Sequence, residues 1–344
     1  MYDLTNAPET DPTPIYRHRD ALYASDMLIV ALKGLDLFSF LARQPQSVET
    51  ICKHFQIFRR PTDVMTTLLV ASGWLQRRGE SLEVTRQARE YLVQDSPWFI
   101  GPYFPPVADR PIALDLLQCL KTDQPAKFNS RKDHEDWHRA MESETFAKEF
   151  TAMMDCRGVL LAQALAKSLP LTGRRRLLDV GGGSGIFACT ICAHQDQLMA
   201  TVFEKSPVDQ IAAAAIADRG YQQRVQTIVG DMFLDQWPEG HDLHLLSNVV
   251  HDWDEADVWK LLKKSAESLT AGGLLVVHDT FLNADKTGPL HVAEYSVLLM
   301  HVTQGRCYSD AEITEIAREA GFDFVRQVPS AATRSGLIFS ANGR

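Results

Sequence analysis

The sequence predicts a doubly wound α/β domain in its C-terminal half, preceded by a smaller and mainly helical domain. Three observations predict it. From Arg175 onward, short apolar runs alternate with helix-like stretches, the pattern of a mostly parallel sheet covered on both faces. Gly181, Gly182, Gly183 and Gly185 stand at the first strand-to-helix junction, where such sheets take a ligand. Before them, residues 20–84 carry the outline of a winged helix-turn-helix. A length of 344 residues suits one large domain plus a smaller one.

The elements follow in order. Residues 1–18 read as a loose arm. An apolar helical pattern runs from Asp20 to Phe40, Ser47 opens a short helix, and Pro61 sits where the next can begin. Trp74-Leu75 and Leu82 to Val84 read as a small hairpin around Arg78 to Glu80. Residues 106–170 are mainly helical and rich in bulky side chains, among them Trp137, Phe150, Met153 and Met154, which suit a core or an apolar pocket. Strands are then expected at Leu177–Val180, Ala200–Phe203, Val225–Val229, Leu243–Asn248, Leu274–Val277, Phe322–Val325 and Leu337–Phe339, with helices between them. Ser309 and Glu312 give the spacing of a capping box for the last helix. The resulting division is 1–105, 106–170 and 171–344.

Composition excludes several classes. With 45% hydrophobic and 23% charged residues the chain is ordinary globular protein, and a net charge of −9 argues against sequence-independent phosphate binding. The stretch that would enter a DNA groove, Pro61 to Leu75, contains no Lys or Arg, so the winged-helix outline reads as a packing or dimerisation module. A ligand-sensing DNA-binding regulator is therefore the weaker rival, and no nucleic-acid partner is expected. The apolar stretch Met27 to Phe40 is broken by Lys33, Gly34 and Asp36, too short and charged for a membrane span. With no apolar signal region at the N-terminus, a cytoplasmic setting is expected. Cys189 and Cys192 have C-x-x-C spacing but no second pair and an apolar helical context, which reads as buried, inert thiols.

The glycine run does not have the dinucleotide spacing G-x-G-x-x-G. Asp179 precedes it, and a carboxylate beside the loop suits a cationic ammonium and not a pyrophosphate. Glu204 at the end of the second strand can accept ribose hydroxyls. Asp231 can accept from an adenine amino group, and Met232 can pack on the ring. Together these acids describe a nucleoside with an amino-acid tail.

At this point a family resemblance is plain. Asp179 to Gly185, Gly230 to Phe233, His251-Asp252-Trp253 and Gly272 to Leu275 resemble the motifs of the plant-type and acetylserotonin-type O-methyltransferases. The resemblance covers nearly the whole chain. It implies an N-terminal winged-helix dimerisation domain, a homodimer, and a C-terminal Rossmann-like catalytic domain that binds S-adenosylmethionine (SAM) and releases S-adenosylhomocysteine. By motif position it implies cofactor contacts from Gly181, Glu204, Asp231 and Met232, and Asp179, Gly183 and Phe233 beside them are candidates for the same ligand. Many members carry a lysine where this chain has Ser247, so one contact is lost or replaced. Phe150 and Met154, with Trp137 and His301 beside them, are the acceptor-side candidates.

The resemblance implies that His251, with Asp252 next to it, is the general base for a hydroxyl, a role its ordinary pKa suits. Two carboxylates that orient this histidine in the family are not found where they are expected. Cys307 stands in one place, and the stretch Gly336 to Phe339 has no acid in the other. That opens an alternative in which His251, Asp252 and His301 hold a divalent metal, and the methyl goes to the carbon of a 2-oxo acid. The favoured reading has no metal and a small phenolic or enolic acceptor. A non-methylating member that keeps the cofactor pocket is a further rival. His244, His278 and His291 read as structural or exposed.

Overall fold

A computed structural model describes residues 3–6, 8–126 and 140–342. The chain divides into two compact units, Met1–Thr13 with Trp137–Phe281 and Asp310–Arg344, and Pro14–Asp136 with Leu282–Ser309. The stretch Leu282–Ser309 thus groups with the N-terminal part of the chain, although the sequence places it inside 171–344. Its apolar side chains are the reason: Val292, Val297, Met300 and Cys307 are buried in one core with Met27, Phe38, Ile51, Met65 and Leu69.

That N-terminal unit carries a small antiparallel sheet of β1 (Gln46–Ser47), β2 (Leu75–Arg78) and β3 (Ser81–Val84), in the order β1-β3-β2. The wing hairpin is where the sequence puts it. Ser47 caps the helix Val48–Phe55, its Oγ accepting from the Thr50 amide at 3.1 Å, a bond worth about 1 kcal/mol. The helix Arg59–Ala71 begins two residues before Pro61, which still lies in the first turn, where the missing N–H costs nothing. Every residue from Pro61 to Leu69 is buried, so this helix has no face left for a DNA groove. Arg60 is spent internally, donating to Asp123 at 2.8 Å and to the Gly305 carbonyl at 2.9 Å.

Two local expectations change. The arm is not wholly loose: Thr13–Asp20 is a helix with no buried residue, its first amide donating to Asp11 at 2.9 Å. The helical pattern from Asp20 to Phe40 is three pieces, Ala24–Ile29, a π-helical turn Val30–Gly34, and Leu37–Arg43. Asp36 adopts a left-handed φ of 51° and re-aims the chain between the last two.

The other unit holds a seven-stranded sheet: β4 (Arg176–Val180), β5 (Met199–Glu204), β6 (Val225–Val229), β7 (His241–Ser247), β8 (Leu269–Asp279), β9 (Phe322–Pro329) and β10 (Ser335–Ala341). Their order is β6-β5-β4-β7-β8-β10-β9. The strands β4 to β8 pair in parallel, and β10 runs antiparallel between β8 and β9. The chain leaves β4 towards β5 on one side and returns to add β7 on the other. The crevice beyond the C-terminal ends of β4 and β7 is therefore the switch point, where doubly wound sheets bind ligands. This is the α/β Rossmann-like architecture expected. Among the described residues no helix is long and apolar enough to cross a membrane. The six cysteines form no disulfide, and burial pushes the thiols of Cys189 and Cys192 up to about 12 and about 11.

Candidate active site

Two groups of residues collect at the switch-point edge of the seven-stranded sheet. The first follows β4 and β5. Gly181, Gly183 and Gly185 take φ of 64°, 56° and 72°, which only glycine adopts readily, and Gly185 hands the chain to the helix Ile186–His194. A Cβ on Gly182 would come within 2.7 Å of the Asp179 carboxylate. Asp179 is fully buried, and neither of its oxygens has a hydrogen-bond partner among the described residues. Burial pushes its carboxyl up to about 7; the Ala188 amide, too poorly placed for a hydrogen bond, pulls weakly against that, and the neighbouring Glu204 charge adds to the push. Glu204 is raised as well by burial, against the pull of the Lys205 and Gly183 amides that donate to it at 2.7 and 3.2 Å. An orphaned acid under a bare glycine loop fits a ligand that brings a cation, as SAM does through its ammonium group.

Asp231, after β6, has a local task. Its Oδ1 accepts from the amides of Phe233 at 2.8 Å and Leu234 at 3.2 Å, and Lys205 lies 3.5 Å from its Oδ2. Met232 lends its carbonyl to Trp237 at 2.8 Å, and Phe233 meets Trp253 edge to face with centroids 4.6 Å apart. Ser247 turns its hydroxyl to His278 at 2.8 Å and accepts from the Asn248 amide group at 3.1 Å.

The second group follows β7 and β8. His251 lies in a short 3-10 turn, Val250–Asp252, and is buried. Its Nδ1 donates to Asp279 Oδ1 at 2.6 Å. This bond fixes the tautomer and leaves Nε2 as the basic nitrogen. Burial pushes the Asp279 carboxyl up, but His251, the Thr280 amide and Arg334 outweigh it and hold the acid below its usual range. Asp252 Oδ1 stands 3.8 Å from Nε2, and burial raises its carboxyl against the pull of His251. The expectation that His251 lacks a carboxylate partner is overturned: Asp279, the last residue of β8, supplies one. By the family resemblance that acid is expected near Cys307 and Gly336. The signal that could have found it is an acid closing a strand, the same signal used for Glu204.

The remaining candidates are placed as follows. Phe150 and Met154 lie on the helix Glu144–Ser168, both partly buried, and Phe150 stacks on Phe146 with centroids 6.1 Å apart. The same helix carries Arg157, whose charge acts on Asp252 and His278. It also carries Asp155, which accepts from Ser184 of the glycine loop and from Arg219. Trp137 lies outside the described residues. His301 belongs to the other unit, where its Nε2 faces Asp115 Oδ2 at 3.3 Å and its ring lies 4.6 Å from that of Tyr23. Cys307 is buried there, its amide donating to Ser296 at 3.1 Å. No group of three or more His, Cys, Asp or Glu among the described residues is arranged to hold a metal ion. His244 and His278 are buried and structural, bonded to Ser265 and Ser247, and burial pushes each down to about 3.

Known proteins are similar to this chain in sequence and fold. The O-methyltransferase domain family matches residues 115–323. The 3-hydroxy-5-methyl-1-naphthoate 3-O-methyltransferase of Streptomyces sahachiroi is 32% identical, covering 92% of this chain and 91% of its own. A crystal structure of an O-methyltransferase family 2 protein from Planctomyces limnophilus with apigenin superposes with a TM-score of 0.91 at 31% identity, over 99% of both chains. Human N-acetylserotonin methyltransferase with SAM shares the fold at a TM-score of 0.61 and 20% identity, over 98% of this chain and 100% of its own. The chain belongs to the O-methyltransferase domain family and is a SAM-dependent methyltransferase.

Proposed function

We propose that this member of the family methylates a phenolic or enolic hydroxyl of a small, largely flat metabolite, with His251 Nε2 as the general base. The observation that carries the reading is the 2.6 Å bond from His251 Nδ1 to the buried Asp279. When bound, SAM supplies an electrophilic methyl group and leaves as S-adenosylhomocysteine. Asp179, the glycine loop and Glu204 are the residues that would hold it, the acid at the loop facing its ammonium and Glu204 its ribose. Asp231, Met232 and Phe233 shape the turn on the adenine side. Ser247 braces the strand end that carries the base.

His251 takes the proton from the acceptor hydroxyl as the oxygen forms its bond to the methyl carbon. Asp279 stabilises the resulting imidazolium and keeps the ring from turning. Such a base contributes about 10²- to 10⁴-fold. Phe150 and Met154 offer apolar surface for a flat acceptor, and support comes from the hydroxynaphthoate named for one relative and the apigenin held by another. A homodimer is part of the same reading; the exposed Trp98, Ile100 and Tyr103 of the N-terminal unit support it. A cytoplasmic setting is the last part, and the absence of disulfides among the cysteines agrees with it. Light scattering on the purified chain reads the assembly.

The test is transfer from methyl-labelled SAM to a hydroxynaphthoate and to its O-methyl ether, with the product read by NMR. The reading expects an O–CH3 signal from the first and no turnover of the second. A new C–CH3 bond, or equal turnover of the ether, would contradict it.

A further inference from the structure

A buried arginine next to the His251–Asp279 pair has no place in the chemistry above. Arg334 is 4% exposed, and a cation so enclosed is costly unless its partners are well placed. Its Nε donates to Asn248 Oδ1 at 3.0 Å and its Nη1 to the Ala332 carbonyl at 3.0 Å. Asn248 is pinned on every side. Its side-chain amide donates to Ser247 at 3.1 Å, and its backbone amide donates to the His278 carbonyl at 2.8 Å. It holds a left-handed φ of 54° at the corner where the His251 turn leaves β7.

The same corner grips both neighbours of Asp279. His278 bonds Ser247 through Nδ1 at 2.8 Å and Ser330 through Nε2 at 3.0 Å. Thr280 donates its hydroxyl to the Thr333 carbonyl at 3.2 Å and its amide to Asp279 at 2.8 Å. The segment Ser330–Arg334 between β9 and β10 therefore ties together the strand ends that bear the base and its acid. It does so under strain: Ala332 and Thr333 are consecutive non-glycine residues with φ of 49° and 64°. Each such residue costs about 1–3 kcal/mol and persists where surrounding structure enforces it.

We propose that Arg334 is a positioning residue, which holds His251 and Asp279 in register through Asn248. The inference rests on the base reading above. Charge supports it. The titratable and charged groups at this knot are Asp279, His278, His251, Asp252 and Arg157, and the Arg334 cation favours the ionised Asp279 and the neutral His278. Removing a cation raises the pKa of every group near it. Loss of Arg334 therefore pushes the protonation of His251 towards higher pH.

The experiment compares Arg334→Met, Arg334→Lys and Asn248→Gly in the full chain, with SAM and a hydroxynaphthoate as probes. Arg334→Met is expected to lower kcat by about 10- to 100-fold, the usual cost of losing a supporting contact. Its acid limb of kcat/KM moves to higher pH, and KM for SAM stays near wild type. Arg334→Lys returns the limb towards wild type. Asn248→Gly, where glycine accepts the left-handed φ, loses kcat with the limb unmoved. NMR titration of the His251 imidazole reads the same shift without any acceptor. Wild-type kcat in both Arg334→Met and Asn248→Gly, with an unmoved His251 titration in Arg334→Met, would overturn the proposal. Should Arg334→Met fail to fold, Asn248→Gly alone decides by its kcat. A fully active His251→Asn would instead sink the base reading itself.

Discussion

The two corners of the sheet edge treat buried carboxylates in opposite ways. Beyond β4, Asp179 has no hydrogen-bond partner among the described residues, and burial lifts it to about 7. Beyond β8, Asp279 is equally buried but receives His251, the Thr280 amide and the Arg334 charge, and is held below its usual range. The same desolvation acts on both. What differs is whether the protein supplies the counter-charge. Where it does, the acid tunes a neighbouring base; where it does not, the site is left for a ligand's cation. On the function proposed above, the first corner binds and the second moves a proton.

Removing the acid at the second corner should give the largest effect. Asp279→Asn keeps the volume but lets His251 adopt the wrong tautomer, and steady-state assay should show kcat reduced by about 10³-fold. Tight SAM binding should survive, because the first corner is untouched. Loss of both together would erase the distinction.

The next effect is in SAM affinity. Asp179 titrates at about 7 in the free protein, and a bound ammonium lowers that value. Affinity is therefore full above pH 7 and falls as pH drops below it, by up to about tenfold per unit. Calorimetry across pH 5.5 to 8 (roughly 1.5 units below the Asp179 value to one above) should show that slope in wild type and lose it in Asp179→Asn. A pH-independent wild type would remove Asp179 from the cofactor site.

A smaller effect concerns the buried histidines. His244 and His278 lie at about 3 in the folded protein, below the 6.5 of an unstructured chain. Their folded pKa values are depressed, so the unfolded state takes up protons first as pH falls. Stability is intact above about pH 6.5 and is lost towards pH 3, at about 1.4 kcal/mol per unit for each. Urea midpoints at pH 7, 6 and 5 should fall along that line, and His244→Asn should roughly halve its slope, His278 keeping the rest. The smallest effect is at Cys189 and Cys192, whose buried thiols should resist alkylation in the native protein.

The first corner was legible in the sequence because its determinants are local. A glycine run, an acid just before it and acids at strand ends sit within single loops, and periodicity locates the strands around them. The second corner was only half legible. His251 stands in a recognisable motif, but Asp279 reaches it from the neighbouring strand, and the pairing of β7 with β8 sets that distance. Arg334 and Asn248 are more remote still, joined only when β10 inserts beside β8. Leu282–Ser309 groups with the N-terminal part of the chain for a similar reason, since its apolar pattern says that it packs but not against which unit. The broken helix near Asp36 shows the limit of periodicity alone, because one left-handed residue interrupts a pattern that otherwise continues.

If binding and proton transfer reside in separate corners, with His251 as the base, one variant separates them. His251→Asn should be assayed for SAM binding by calorimetry and for methyl transfer to a hydroxynaphthoate. Wild-type SAM affinity is expected, with transfer slowed by about 10²- to 10⁴-fold. Transfer at the wild-type rate in that variant would contradict the role of His251 as the base.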